Sequence, residues 1–453
     1  MAFSELDIIF VILYALVCVG IGLFSSRNQK KGDFLIAGRN LGSFSIMASI
    51  LASLIGGTAI VTFTAYVYQF GVSALSIFIG SGTGLMIFMF YSLKVRKLAK
   101  DKDFHNLSEL IRHKYDSRTG NLSSLIIFIL FFGFLLVQFI AGSSILASIS
   151  GWSYEVSLLI SGGIVLAYLA IGGFKSLIRT DIFQYIVIIV IFGAIGLLVL
   201  GNTDAVLIDS QNLSVMSPSL MLVFFLFGIF SIFCQAGYWQ RVFAAKDDTA
   251  IKRGLTGAAI LIVISGIVLT MIGLAAVSSA PGLNPNLAFV YGMTNILPPQ
   301  LLVMGLIVVF AAIMSNADTV IFVLSTIVAK DYFGKKSKRE ADDKYLTKIT
   351  RIFIIIFSVS GIGLAFLLRD ILSVFISVTS IGFAIVPALI AAFHFRIRSN
   401  AAFASLLAGL VLVTAVIATG IIVPELTVIS LLASTTVLIA YEGTARLRER
   451  LTA

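Results

Sequence analysis

Apolar residues run along this chain in long stretches, separated by short polar breaks, from one end to the other. Thirteen stretches can be marked, at roughly 5–25, 43–69, 72–98, 120–149, 153–172, 177–200, 217–241, 252–279, 300–330, 345–368, 371–395, 400–422 and 424–443. As helices they reach across roughly 30 Å of hydrocarbon. Strand-length alternation is absent, and a bilayer admits only elements that satisfy their own backbone polar groups. The pattern predicts an all-α membrane protein with about 13 transmembrane helices.

Two stretches carry an interruption. The second reads "SIMASILASLIGGTAIVTFTAYVYQFG", with Gly56, Gly57 and Thr58 at its middle. Paired glycines weaken the helical ladder there, and a broken membrane helix is tolerated where it lines a cavity. The seventh, "PSLMLVFFLFGIFSIFCQAGYWQR", has Gly228 mid-span and Gly237 further on. The two lie five stretches apart, as an inverted repeat of two five-helix halves would place them. That divides the chain into an extra helix and loop (1–42), a first repeat (43–200), a second repeat (201–396) and two C-terminal helices with a basic tail (397–453). Residues 278–300 hold four of the seven prolines and are long enough to fold over the outer mouth as a short helix.

Composition agrees: 59% of residues are hydrophobic and only 12% charged, against about a quarter in soluble domains. The net charge of +10 is an orientation signal and no nucleic-acid footprint. If the segment after the first stretch is cytoplasmic, every lysine and arginine except Arg369 falls on the cytoplasmic side, Arg241 counted among the loop residues. The positive-inside rule then sets the N-terminus outside and the C-terminus inside, in a multi-pass cell-membrane protein. The first stretch lacks the basic start of a cleavable signal peptide. Cys18 and Cys234 fall inside stretches, so no disulfide framework is implied. His105, His113 and His394 have no ligand spacing, and no nucleotide loop or nucleophile motif is present, so an enzyme is not expected.

The chemistry is concentrated in "AAIMSNADTVIF" (311–322). Ala312, Ser315, Asn316 and Thr319 share one helical face, with Asp318 along its edge. Hydroxyl and amide oxygens suit an alkali cation, and the break near Gly56 can add main-chain carbonyls. Four polar residues in five positions, one ionisable, point to function rather than helix glue. Asp181, in "GGFKSLIRTDIFQ", reads as an ion-path carboxylate or as an interfacial group paired with Lys175 or Arg179. Gln138, Ser231 and Gln235 are further polar positions inside spans. With Ser53, Gly56, Gly57 and Thr58 they are the expected substrate contacts.

The strings "YLAIGGFKSLIRTDIFQ" (168–184), "YWQRVFAAKDDTAIKRG" (238–254) and "AAIMSNADTVIFVLSTIVAKDYF" (311–333) resemble the sodium:solute symporter family. The resemblance implies an inverted five-helix repeat of the leucine-transporter type and sodium-coupled symport of a small organic solute by alternating access. It also implies a sodium ion held by carbonyls of Ala52, Ile55 and Ala312 and by Ser315 and Asn316. The family pattern has a hydroxyl where this chain has Asn316. Asp181, with Asp318 near by, matches the region tied to ion release or a second ion. Positions that bind sugar in the galactose transporter fall on Leu54, Ala59, Phe78 and Gly228, none of which can hydrogen-bond sugar hydroxyls through a side chain. Free amides at a half-helix start favour an anionic group, so a carboxylate or amino acid is expected rather than a sugar. Proton coupling through Asp318 or Asp181, and a non-transporting membrane sensor, are the alternatives. The expected partners are a small-molecule substrate and membrane lipid, with no nucleic acid, and the expected transport unit is a monomer.

Overall fold

The computed structural model describes residues 5–27, 33–57, 59–201, 216–280, 282–298, 302–333, 343–368 and 370–452, and each predicted apolar stretch is helical in it. Thr58 and Arg369 lie outside the described residues. The helices are α1 (Glu5–Arg27), α2 (Asp33–Ile36), α3 (Ser43–Leu54), α4 (Thr64–Phe70), α5 (Ser76–Asp101) and α6 (Leu107–Lys114). There follow α7 (Ser117–Ser150), α8 (Tyr154–Gly201), α9 (Pro218–Cys234), α10 (Ala236–Phe243), α11 (Asp248–Ser279) and α12 (Ala288–Ile296). The rest are α13 (Leu302–Ile327), α14 (Asp343–Ala365), α15 (Ile371–Phe383), α16 (Val386–His394), α17 (Ser399–Ala418) and α18 (Leu426–Thr452). Among the described residues nine helices are long and apolar enough to cross a membrane, or ten if the bent pair α9–α10 is one span.

The interruption in the second stretch falls where the glycines predict it. Helix α3 stops at Leu54, Ile55 caps it, and a wide turn over Ala59–Phe63 leads into α4. The seventh stretch breaks elsewhere than its glycines suggest. Its joint is Gln235, with φ −76° and ψ 92°, and α9 and α10 meet there at 50°. A carbonyl freed by this break is satisfied by a side chain: the Trp239 indole N–H donates to the Phe233 carbonyl at 2.9 Å. Gly228 is instead a packing contact. A Cβ there would strike the Ile77 carbonyl and lie 2.7 Å from the Ser81 nitrogen, so α9 can approach α5 only through glycine.

The fifth and sixth predicted stretches form one 48-residue helix, α8, kinked at Gly173. No proline separates them, and the turn is taken at a single non-helical residue shortly before Lys175 and Ser176. Gly173 has φ +62°, a backbone form costly for side chains, and its open face receives the Phe34 ring. The segment after α11 does fold into a short helix, α12, which packs against α11 and α4.

The face carrying the basic loops is belted together. Leu41 bridges to the segment just after α10 through Leu41 N to Ala244 O and Lys246 N to Leu41 O, both 3.0 Å. Arg39 donates to the Phe243 carbonyl at 3.0 Å and to Asp103 at 2.8 Å. His105, buried under this belt, donates its Nδ1 proton to the Asp103 carbonyl at 2.7 Å. Burial, with the Lys330 charge near by, pushes its pKa down to about 4. The folded state therefore holds His105 neutral. Stability from this group is complete above about pH 6.5 and is lost as pH falls toward 4, on the order of 3 kcal/mol. A melting-temperature series over that window should flatten in His105→Asn, which keeps an N–H donor without a titrating ring. An unchanged slope would remove His105 from the account.

Candidate functional site

Helix α13 turns its polar residues two ways. Ser315 and Thr319 are buried toward α3 and α10, and Asn316 is half-buried on the same side. Asp318 is buried at the other edge of α13, the helix that packs against α1.

Between α3, α8, α10 and α13 lies a closed polar knot built on a carboxylate and a guanidinium that are both wholly buried, Asp181 and Arg241. Arg241 Nη2 donates to Asp181 Oδ2 at 2.9 Å, to Thr319 at 2.9 Å and to Ser53 at 3.1 Å. Its Nε donates to Ser49 at 2.6 Å and its Nη1 to the Gly237 carbonyl at 2.9 Å. Ser49 in turn donates to Asp181 Oδ2, and Ser315 donates to Asp181 Oδ1 at 3.0 Å. All three guanidinium nitrogens and both carboxylate oxygens are bonded. That satisfaction is what makes a buried ion pair tolerable, because each desolvated charge costs several kcal/mol if left alone.

This knot corrects two expectations. Arg241 is not a loop charge; the bend at Gln235 turns α10 back into the protein and carries Arg241 inward. Asp181 pairs with Arg241, while Arg179, on the exposed side of α8, donates to Ser25 of α1 at 3.1 Å. The signal for Arg241 was present in "QAGYWQR": a glycine one turn before an arginine lets a guanidinium fold back onto its own helix and lets α10 approach Thr319. Ser49, one turn before Ser53, was also missed.

The two helix breaks face a cavity of about 100 Å³. Its polar lining includes Ser53, Ser231, Gln235 and Asn316, joined by Thr62, Tyr66, Ser81, Tyr238 and Thr379. Its aromatic walls include Phe63, Phe78, Phe134, Phe227 and Phe375, and among the described residues none that lines it is ionic. Of the expected substrate contacts, Ser53, Ser231 and Gln235 are thus at the cavity. Gly56 and Gly57 lie behind it, Gly56 pressed by Asn316 and Gly57 by Ile313 and by Gln138 Oε1. Leu54, Ala59 and Phe78 line the cavity, whereas Gly228 does not.

The residues assigned to sodium are close to this junction. Ala52 and Ile55 are buried at the end of α3, where the helical ladder stops after the bond from Ile55 N to Leu51 O. Ser315 gives its proton to Asp181, so its oxygen lone pairs remain available to a cation. Asn316 sits between Gly56 and the cavity. This all-oxygen donor set fits a hard monovalent cation.

Residues 34–409 match the model of the sodium:solute symporter family. The chain is 24% identical over 353 residues to the sodium/pantothenate symporter of Escherichia coli K12, covering 73% of each. It is 23% identical over 389 residues to sodium/proline symporter 2 of Staphylococcus saprophyticus, covering 80% of this chain and 76% of that one. In fold it matches a substrate-bound, outward-open sodium-coupled sialic acid symporter with a TM-score of 0.80, at 16% identity and over 98% of each chain. It also matches Mhp1, a nucleobase-cation-symport-1 family transporter, with a TM-score of 0.59 at 14% identity, over 91% of this chain and 94% of that one.

Proposed function

The chain belongs to the sodium:solute symporter family, has the leucine-transporter type of fold, and from that premise we propose that it carries a small carboxylate or amino acid inward with one sodium ion. The observation that carries this reading is the junction of the α3 break with Ser315 and Asn316 beside a compact cavity. The relatives named for pantothenate and proline support a carboxylate or amino acid. The aromatic walls and the side chains at Leu54, Ala59 and Phe78 argue against a polyhydroxy sugar.

In this reading sodium takes carbonyls of Ala52, Ile55 and Ala312, the Ser315 hydroxyl and the Asn316 amide oxygen. Asp181 is a positioning residue: by accepting the Ser315 proton it turns that oxygen toward the ion. Arg241 already holds Asp181, Ser53 and Thr319, so a second cation finds those ligands taken, and coupling uses one sodium. Inward movement of one ion through 100 mV supplies about 2.3 kcal/mol. A tenfold gradient adds about 1.4, together enough for roughly 500-fold accumulation of a zwitterionic amino acid; a monoanionic carboxylate cancels the charge moved and is driven by the tenfold gradient alone. Alternating access then requires that sodium stabilise the solute-ready outward state, since only differential binding shifts the equilibrium.

The test is a thermal-shift screen of small carboxylates and amino acids with and without sodium, followed by uptake into liposomes under a sodium gradient. Uptake should rise hyperbolically with sodium. Asn316→Ala should lower the solute-free sodium affinity read from the thermal shift at least about tenfold, the loss of one ligand worth about 1.4 kcal/mol or more. Uptake driven by a proton gradient alone would favour the proton-coupled reading through Asp318. A sodium shift untouched in Asn316→Ala would remove that residue from the site.

A further inference from the structure

A second cavity, of about 540 Å³, opens on the outside of the helix bundle, far in character from the central one. It runs between two candidate spans, Ile371–His394 and Leu426–Arg450. Its walls are Phe230 of α9, Pro387 and Ile390 of α16, and Leu438 and Ile439 of α18, with Glu442 and Arg446 at its end. Ile439 is 67% exposed and the neighbouring Phe395 65%. Large apolar side chains held open beside arginines match an acyl chain below a phosphate better than they match water.

At its charged end Arg398 and Arg446 meet Glu442 and Glu449, and the same two chain segments carry three more arginines, Arg396, Arg448 and Arg450. Both acids are engaged: Arg398 reaches Glu442 at 2.9 Å and Glu449 at 2.6 Å, and Arg446 reaches Glu442 at 3.0 Å. The Arg446 side chain is still 55% exposed after that contact, and its Nη2 donates to the Arg396 carbonyl at 3.1 Å. Basic pockets between membrane helices take anionic headgroups for this reason: the guanidinium supplies charge and paired N–H donors.

We propose that this groove holds one anionic phospholipid, an acyl chain between α16 and α18 and its phosphate against Arg446. Complementarity of both parts selects it: the apolar walls take the chain, and the exposed Arg446 guanidinium, beside a Glu442 already held by Arg398, takes the phosphate. The groove shares a wall with the transport cavity. Phe230 lines the groove, while Phe227 and Ser231 of the same helix line the cavity.

Native mass spectrometry and melting curves of the purified full chain in neutral detergent test this with three probes. They are dioleoylphosphatidylglycerol, dioleoylphosphatidylcholine and the headgroup fragment glycerophosphoglycerol. One phosphatidylglycerol should be retained, with a raised melting temperature, at concentrations where phosphatidylcholine and the fragment are not. Arg446→Gln should cut that retention about fivefold. Equal retention of both lipids would reduce the groove to ordinary lipid contact and overturn the proposal. So would fragment binding equal to that of the lipid, or Arg446→Gln retaining phosphatidylglycerol as the parent does. A dimer that excludes lipid would assign the groove to a second copy of the chain and overturn it too. The three-probe comparison needs no variant, so it stands even if Arg446→Gln folds poorly.

Discussion

Arg241→Gln is expected to lower uptake at least about 100-fold and to cost about 3–5 kcal/mol of stability, because it leaves Asp181 charged, buried and without its counter-ion. The loss follows from the geometry of the knot. Arg241 Nη2 alone serves Asp181, Thr319 and Ser53, so one substitution strips three helices of a shared donor. The double variant Asp181→Asn with Arg241→Gln separates structure from function. Removing both charges relieves the unpaired burial, and most of the stability should return. Transport should not return, since asparagine cannot accept the Ser315 proton with the strength of a carboxylate. Melting temperature and sodium-driven uptake, measured on the same preparations, check both halves. Full uptake by the double variant would reduce the knot to a structural staple.

The second large effect is expected at Gly56. A Cβ there would lie 2.8 Å from the Asn316 Cβ, which is fixed to the α13 backbone and cannot swing away. Gly56→Val therefore forces the α3 break and α13 apart, with an overpacking cost of about 1–3 kcal/mol. The carbonyls at the break and the oxygens of Ser315 and Asn316 are then no longer within reach of one ion. Sodium-dependent uptake should fall well over tenfold, and the solute-free sodium shift should vanish. Gly193→Ala is the control, because nothing lies within 4 Å of the Cβ it adds. Its uptake and melting temperature should match the parent. A Gly56→Val protein that keeps the sodium shift would separate the break from the ion.

Local patterns carried the parts of the site that depend on one helix. A period of 3.6 places Ser315, Asn316 and Thr319 on one face, and the Gly56–Gly57 pair locates the α3 break, because both are properties of a few consecutive residues. The break at Gln235 was not legible in the same way. Both glycines of that stretch serve close approach, Gly228 to α5 and Gly237 to α13, and glycine looks alike in sequence whether it packs or breaks.

Composition and apolar period by themselves determined that the chain is a many-helix membrane protein, since a bilayer leaves no other way to satisfy the backbone. Its motifs were enough to identify the family. Only the tertiary structure decided where the charges go. Arg241 begins a basic run that sequence assigns to a loop, yet a 50° turn at Gln235 brings it to Asp181, 60 residues earlier in the chain. Pairing of that kind depends on which helices pack together, and a hydropathy pattern records how deep a segment lies without recording which neighbour it faces.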